Sequence, residues 1–132
     1  MSFEVEVNKH KMIIDSVREF GGNNEGPRPK SLMLVALAGC TGMDIVSILK
    51  KMRVSFDDLR IVADGNITDE HPKHFEHMHL KYIIKGKNIP EEKVRTAINL
   101  SQEKYCGVSF SYRKAMKLTH ELIIEESDPD KG

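Results

Sequence analysis

The sequence predicts an α+β fold in which one long apolar helix packs on antiparallel strands. An almost wholly apolar run occupies residues 32–40, apolar and polar residues alternate in several other segments, and turn-forming residues separate these segments. The 132 residues have the usual length of one domain, and no repeat or shift in composition divides them. We therefore predict a single domain over 1–132, with an N-terminal hairpin and loop over 1–28 and a polar tail over 127–132.

The N-terminal segment predicts a β-hairpin. Apolar residues alternate with glutamates over Phe3–Val7, and a second apolar group at 12–14 follows the pair Asn8-Lys9. A loop rich in glycine, asparagine and proline occupies residues 21–29. Its last residue, Pro29, suits the first position of a helix because the amide hydrogen that proline lacks would have no partner there.

The long helix is predicted over residues 29–53. Within it, Gly39 and Gly42 each weaken the helix by roughly 1 kcal/mol relative to alanine, but they allow another backbone to approach closely. The first half is apolar on every side, which predicts a buried position at the centre of the molecule. The second half narrows to an amphipathic stripe formed by Ile45, Ile48, Leu49 and Met52.

The remaining segments complete the predicted order ββ-α-ββ-α-α-β. Alternating residues at 59–64 and 78–84 predict two strands that form a hairpin. Pro90, followed by two glutamates, marks the start of a second helix. A short helix is predicted over residues 108–116, and a last strand over residues 118–124.

Composition excludes several classes of partner. Lysine plus arginine equals aspartate plus glutamate at 20 each, so no basic excess indicates nucleic acid or an acidic membrane surface. The N-terminus lacks the pattern of a secretory signal, and we expect that no stretch reaches the roughly 18 apolar residues of a membrane span. We predict a cytoplasmic protein whose partner is a small molecule or another protein.

Two cysteines, Cys40 and Cys106, are the candidate reactive groups. In a reducing compartment they are either buried small hydrophobes or functional thiols. Thr41, Gly42 and Asp44 interrupt the apolar run directly after Cys40, which makes a small polar patch where a substrate could reach the sulfur. Cys106 lies at a predicted helix break, where a helix N-terminus lowers a thiol pKa. The sequence alone leaves both interpretations open.

A histidine cluster is the other candidate site. Alternation of His77 and His79 would place both side chains on one face of a strand, which is a spacing that can bind a metal. No accompanying carboxylate-histidine signature is present, and a solvated strand edge explains the pattern equally well. We predict no metal site and no cofactor. The cluster comprises His71, His74, His77 and His79.

Three segments resemble the OsmC/Ohr family, over about residues 27–125. The resemblance implies the OsmC-like fold and an intertwined homodimer with two active sites near the interface. It is strongest with OsmC-like proteins that are less well characterised than the organic-hydroperoxide-resistance enzymes. The segments are Gly26-Pro27-Arg28-Pro29 leading into Leu32-Met33, Ala38-Gly39-Cys40-Thr41 with Asp44-Ile45-Val46, and Lys104-Tyr105-Cys106-Gly107-Val108-Ser109.

The resemblance also implies a two-cysteine peroxidase active in the oxidative stress response. Cys40 would attack a hydroperoxide and become a sulfenic acid, and Cys106 would resolve it to a disulfide. In relatives, a small thiol or a lipoyl-bearing protein restores the dithiol. An apolar lining around Cys40 would favour organic hydroperoxides over hydrogen peroxide.

Burial raises a thiol pKa, so Cys40 needs a positive charge to hold its thiolate. The family uses an arginine for this purpose, and Arg18 lies in the matching region, with Arg28 as a second candidate. The family also places a glutamate in the first turn of the helix, where this chain has Lys30 and Ser31. This departure keeps a second function open, namely a non-catalytic or redox-sensing binding protein without peroxidase turnover.

Overall fold

The computed structural model describes residues 1–127, so the predicted tail lies outside the described residues from position 128 onward. It confirms the α+β class and the predicted order of elements. A 3-10 turn, Arg18–Phe20, precedes the long helix, and a π-helical turn, Ser101–Tyr105, connects the second and third helices. The elements are β1 (Phe3–Val7), β2 (His10–Ile14), α1 (Ser31–Lys51), β3 (Asp58–Ile67), β4 (Phe75–Gly86), α2 (Glu91–Leu100), α3 (Gly107–Arg113) and β5 (Lys117–Glu126).

Residues Met1–Val35 form one compact unit, and a second begins at Ala36. In the first unit β1 and β2 pair antiparallel, as predicted. Asn8 and Lys9 have φ of 51° and 67°, which is the left-handed backbone of a tight two-residue hairpin turn. The assignment of residues 1–132 to a single domain remains a prediction.

Helix α1 is slightly shorter than predicted at both ends. Before it, the amide of Ser31 bonds the Arg28 carbonyl and that of Leu32 bonds the Pro29 carbonyl, so the chain makes a tighter turn before the regular helix begins. At the C-terminal end Arg53 has φ of 59°, and the amide of Val54 bonds the Leu49 carbonyl. A left-handed residue with this bond is a usual helix stop.

Helix α1 is buried along one stripe. Leu37, Thr41, Ile45 and Leu49 are buried and lie four residues apart, so they share one face of the helix. On another face, Met43 is 78% exposed and Val46 46% exposed. In the apolar first half, Leu37 is buried but Val35 is 63% exposed, so the prediction that this half is buried at the centre of the molecule is wrong for the single chain.

By length and composition, Ser31–Lys51 is also apolar enough to cross a membrane. The prediction that no stretch of the chain has the apolar composition of a membrane span is therefore wrong for α1. Helices that pack in a protein core pass the same test, and α1 carries Thr41, Asp44 and Ser47 in its second half. Buried Thr41 is hydrogen-bonded to Tyr82 of β4, which indicates a helix packed on protein.

The second unit contains a three-stranded sheet in the order β3-β4-β5. Strands β3 and β4 form the predicted antiparallel hairpin. Strand β5 pairs parallel with β4, with Tyr82 opposite Leu122, so the expectation of purely antiparallel strands is wrong at this strand. The reason is the connection: residues 87–116, which include α2 and α3, form the long crossover that a parallel pair requires.

Strand β4 lies in the middle of the sheet and supplies most of its buried side chains. Met78, Leu80, Tyr82 and Ile84 are almost inaccessible to solvent. Helix α2 begins at Glu91, directly after Pro90 as predicted, and buries Val94, Ala97 and Ile98. Ser127 is also buried, and its amide bonds the Gly86 carbonyl, so the predicted polar tail does not begin at this residue.

The π-helical turn directly follows α2 and connects it to Cys106. Its closing bond runs from the amide of Cys106 to the carbonyl of Ser101 at 2.7 Å, five residues apart. Ser101 and Gln102 are buried on this turn. Helix α3 then begins at Gly107, one residue before the predicted start, because Cys106 is its N-cap.

Candidate functional site

The fold brings the two thiols together. The sulfur atoms of Cys40 and Cys106 and a carboxylate oxygen of Asp44 all lie within 4.8 Å of one another. The Cys106 thiol is hydrogen-bonded to that of Cys40, and both cysteines are free. Cys106 is buried and Cys40 is partly exposed. The functional role of the two cysteines stays a prediction.

Cys106 is held by the start of α3. Its sulfur accepts a hydrogen bond from the Ser109 amide at 3.3 Å, in the manner of an N-cap side chain. The hydroxyl of Ser109 is itself buried and has no hydrogen-bond partner among residues 1–127. Cys40 and Asp44 come from α1, where a spacing of four residues places both side chains on one face.

The surroundings of Cys40 disfavour its thiolate. Burial raises the pKa of the Cys40 thiol most, and the hydrogen bond with Cys106 and the charges of Cys106 and Asp44 raise it further. The backbone amide of Val108 acts in the opposite direction. Cys40 is therefore mainly a neutral thiol at pH 7, and an attack through sulfur requires an additional positive charge or donor.

A buried polar network extends from Asp44 into the sheet. The Ser101 hydroxyl donates to the Asp44 carboxylate at 2.9 Å and is hydrogen-bonded to Thr41 Oγ1 at 2.8 Å. Thr41 Oγ1 in turn lies 2.9 Å from the phenolic oxygen of Tyr82, to which Gln102 Nε2 donates at 2.7 Å. The network orients the carboxylate because each hydroxyl is fixed by a neighbour on another element.

Two cavities adjoin this cluster. One, of 470 Å³, has Asp44 in its wall and is otherwise bordered mainly by α1 and by Leu100 and Tyr105. A smaller one, of 150 Å³, is lined by Cys106 together with Phe110 and Arg113. The larger cavity has the size of a small-molecule site, and Ile48 and Met52 contribute apolar wall.

The two candidate arginines both belong to the first compact unit. The guanidinium of Arg28 donates to the Gly26 carbonyl at 2.7 Å and to Asn24 Oδ1 at 2.6 Å, which gives it a role in stabilising its own loop. Arg18 begins the 3-10 turn and has an exposed side chain. Activation of Cys40 by Arg18 stays a prediction. Helix α1 has no acidic residue in its first turn.

Sequence reasoning missed several residues of the site. Asp44 was noted as part of a polar patch but was not assigned to the site, although its spacing from Cys40 could have shown that the two share a helix face. Ser101, Gln102 and Tyr82 carried no comparable signal. Their contribution depends on how α1, β4 and the π-helical turn pack together.

The histidines on β4 are hydrogen-bonded to β5. His77 Nε2 and His79 Nδ1 lie 2.6 and 2.7 Å from Thr119 Oγ1, and His79 Nε2 lies 2.6 Å from a carboxylate oxygen of Glu121. These contacts give His77 and His79 a structural role between neighbouring strands. The alternative explanation of the histidine pattern as a solvated strand edge is wrong, because β4 is the middle strand of its sheet.

The mixed sheet, the long helix and the paired thiols define an α+β protein with a dithiol site. The chain belongs to the OsmC-like family, whose model it matches over residues 22–121. It is 32% identical to Protein YhfA of Escherichia coli K12 over 115 residues, which are 87% of this chain and 83% of that protein.

Solved structures share the fold. A hypothetical protein from Aquifex aeolicus VF5 superposes with a TM-score of 0.84 and 28% identity, over 96% of this chain and 89% of the other. An organic hydroperoxide resistance protein OsmC from Legionella pneumophila superposes with a TM-score of 0.66 at 16% identity, over 95% of each chain. At that identity, the second similarity concerns the fold alone.

Proposed function

We propose that the protein is a thiol-dependent peroxidase that reduces organic hydroperoxides. One observation carries the proposal: the sulfurs of Cys40 and Cys106 lie within 4.8 Å of each other and share a hydrogen bond. A disulfide needs sulfurs about 2.05 Å apart, so the two sulfurs would have to move closer by up to about 2.7 Å. Membership of the OsmC-like family supports the same chemistry.

The reaction has two steps on the enzyme. The Cys40 thiolate attacks the terminal oxygen of the hydroperoxide, the O–O bond breaks, and the alkoxide leaves as an alcohol after taking a proton. The Cys106 thiolate then attacks the sulfur of the Cys40 sulfenic acid, the S–O bond breaks, and hydroxide leaves as water after taking a proton. A dithiol reductant, such as a small dithiol or a lipoyl-type group, returns both cysteines to thiols.

The cavity beside the cluster supports an organic substrate. Its wall includes Ile48, Met52 and Leu100, which can contact an alkyl group. Hydrogen peroxide would gain nothing from such contacts. We therefore propose alkyl or aryl hydroperoxides as the substrate class, and the requirement for free thiols fits a reducing cytoplasm.

Ionisation of Cys40 is the demanding step. Burial and the nearby carboxylate of Asp44 both raise the pKa of the thiol, so a cation must offset them when substrate binds. Arg18 is our candidate for this cation. It is exposed, whereas Arg28 already has two hydrogen-bond acceptors in its own loop.

A second candidate function is a redox-sensing or binding protein without peroxidase turnover. The raised pKa of Cys40 favours it, because a thiol that is mainly protonated reacts slowly with peroxides. The absence of an acidic residue from the first turn of α1 favours it as well. In this case the dithiol would be oxidised once and would remain oxidised.

We further propose that the protein forms a homodimer through α1. Met43 and Val46 are exposed on this helix, and a cavity of 630 Å³ lined by Gly39, Met43, Val46 and Ile61 lies beside them. A contiguous apolar surface of this kind is typical of a protein interface. Open space beside Gly39 would let a second helix approach closely, whereas Gly42 already packs against Ile61 of the same chain.

The peroxidase proposal is tested with the reduced wild-type protein and one equivalent of cumene hydroperoxide. We expect loss of both free thiols and a Cys40–Cys106 disulfide in the peptide map by mass spectrometry. Cys40→Ser should not be oxidised to a disulfide, whereas Cys106→Ser should accumulate a sulfenic acid that dimedone traps. Unchanged thiols in the wild-type protein would contradict the proposal.

Turnover separates the two candidate functions. With excess cumene hydroperoxide and dihydrolipoamide, a peroxidase consumes many equivalents of hydroperoxide per chain. A sensor forms the disulfide once, and its hydroperoxide consumption then stops. Hydrogen peroxide at the same concentration is the matched comparison for the proposed substrate class.

A further inference from the structure

We propose that Cys40, Asp44 and Cys106 together form a binding site for a thiophilic divalent cation, with Zn²⁺ as the best match. The proposal uses the same thiols as the proposed function but does not depend on peroxidase activity. Two sulfurs and one carboxylate oxygen lie within 4.8 Å of one another, and they come from two separate parts of the chain. This is a converging set of three ligands.

The spacing suits a small tetrahedral ion. With Zn–S bonds of about 2.3 Å and Zn–O bonds of about 2.1 Å, tetrahedral ligands lie about 3.6–3.8 Å apart. The three atoms therefore need to approach one another by up to about 1.2 Å to reach this geometry. The fourth position is left for water or another small ligand, for which the cavity beside Asp44 offers a route.

The ligands are supported by neighbouring groups, as in established metal sites. Ser101 donates to Asp44 Oδ2 at 2.9 Å, which orients the carboxylate and leaves its other oxygen available. The Ser109 amide donates to Cys106 Sγ at 3.3 Å, which fixes the position of this sulfur. Ser101 is fixed in turn by Thr41 at 2.8 Å.

The donor set selects the kind of cation. Two thiolates favour Zn²⁺ or Cd²⁺ over Mg²⁺ and Ca²⁺, which prefer oxygen ligands. Binding of Zn²⁺ releases the two thiol protons and leaves three anionic ligands around the ion. The ion thereby removes the repulsion between Asp44 and two ionised sulfurs.

Metal binding and disulfide formation exclude each other, because each uses both sulfurs. A bound ion would shield the dithiol from oxidation, and a disulfide would leave Asp44 as the single ligand of the three. The site therefore binds metal in the reduced protein alone. This redox dependence distinguishes it from metal bound to surface histidines.

The test is a titration of reduced, metal-free, full-length protein with Zn²⁺ against a chromophoric chelator, without hydroperoxide or added thiol. We expect one Zn²⁺ per chain, and Co²⁺ in its place should give a thiolate-to-cobalt charge-transfer band. Protein oxidised with diamide should bind neither ion at this site. Equal binding by oxidised and reduced protein would overturn the proposal.

Variants identify the ligands. Cys40→Ser and Cys106→Ser should each lose most of the charge-transfer band, and Asp44→Asn should lower Zn²⁺ affinity at least about tenfold. Asp64→Asn, an exposed aspartate on β3, is the matched control, and His79→Ala controls for the histidines on β4. Wild-type affinity in Asp44→Asn would exclude the three-ligand site.

A second measurement uses the wild-type protein alone and remains informative if a variant fails to fold. Zn²⁺ should slow alkylation of both Cys40 and Cys106 by N-ethylmaleimide at least about tenfold, whereas Mg²⁺ should have no effect. Unchanged alkylation at saturating Zn²⁺ would overturn the proposal. Since no assay contains hydroperoxide, failure of the proposed peroxidase activity would leave these results unaffected.

Discussion

Asp44 lies one helical turn after Cys40 on α1, and its carboxylate is within 4.8 Å of the Cys40 sulfur. A carboxylate in this position opposes formation of the thiolate that peroxide reduction needs. The same carboxylate accepts a hydrogen bond from buried Ser101. Asp44 therefore connects the Cys40 thiol to the polar interior and adds to the causes that raise the pKa of this thiol, of which burial is the largest.

Replacement of Asp44 by asparagine should make Cys40 more reactive. Removal of the negative charge lowers the pKa of the thiol. Each unit by which this pKa falls raises the thiolate fraction near pH 7 about tenfold. We expect alkylation of Cys40 by iodoacetamide at pH 7 to be about two- to tenfold faster. Mass spectrometry of the Cys40 peptide, from pH 6 to 10, provides the measurement.

Asp64→Asn is the control for this effect, because it removes an exposed charge from β3. Its pH profile should match that of the wild-type protein. A profile for Asp44→Asn that coincides with both would show that the carboxylate does not influence the thiol.

Tyr82→Phe should destabilise the protein without creating a large cavity. The phenolic oxygen of Tyr82 is hydrogen-bonded to Thr41 at 2.9 Å and to Gln102 at 2.7 Å, and the side chain is fully buried. Loss of the oxygen leaves buried polar partners, at a cost of about 1–3 kcal/mol in the free energy of unfolding. Urea unfolding gives this value.

Tyr105→Phe serves as the comparison, because Tyr105 is 54% exposed and its ring contact with Lys104 does not need the hydroxyl. Its free energy of unfolding should change by less than about 0.5 kcal/mol. Equal effects of the two substitutions would mean that the buried network contributes little to stability.

Asp15 should contribute to acid sensitivity. Hydrogen bonds from the backbone amides of Ser16, Glu25 and Asn23 lower its pKa below the ordinary value of 3.8, with the Ser16 bond the largest cause. A lowered folded-state pKa gives stability that is present above the unfolded pKa and is lost as the pH falls through the folded one.

We therefore expect Asp15→Asn to lower the melting temperature at pH 7 and to have a smaller effect near pH 2. Thermal unfolding of wild-type and variant protein at both pH values measures the difference. Asp69→Asn, in an exposed loop, should leave the pH dependence unchanged. Parallel wild-type and Asp15→Asn curves would contradict the assignment.

Substitution of Met43 by glutamate should dissociate the proposed dimer. Met43 is 78% exposed on α1, so glutamate is tolerated in one subunit but would place charges in an apolar interface. Light scattering should give a dimer for the wild-type protein and a monomer for Met43→Glu. Arg60→Glu, on β3, tests whether any added acidic charge has the same effect. A monomeric wild-type protein would exclude the dimer.

The sequence predicted the elements well because each has a local signal. The apolar run of α1, the alternation in β3 and β4 and the proline before α2 all act over short distances. The predicted helix is two residues too long at each end, since the ends of α1 depend on the turn before Ser31 and on the left-handed Arg53. Alternation in β5 predicted a strand but carried no information on its partner, and its parallel pairing was missed.

The part of the candidate site that has a local sequence signal was predicted, and the rest was not. Cys40 and Cys106 were found from their surroundings in the sequence and from family resemblance, and the structure places them together. The hydroxyls of Thr41, Tyr82 and Ser101 were not assigned, because their hydrogen bonds join residues far apart in the chain. Local sequence patterns do not predict hydrogen bonds between residues that are this far apart in the chain.

The π-helical turn makes the site sensitive to chain length as well as to composition. The carbonyl of Ser101 accepts a hydrogen bond from the amide of Cys106, and the hydroxyl of Ser101 donates to the carboxylate of Asp44. Ser101 therefore contacts both Cys106 and the helix that carries Cys40. In a helix each residue adds a rotation of about 100°, so removal of one residue between Ser101 and Cys106 would turn the second sulfur away from the first. The five residues of the π-helical turn therefore determine the direction in which the Cys106 sulfur points relative to the Cys40 sulfur.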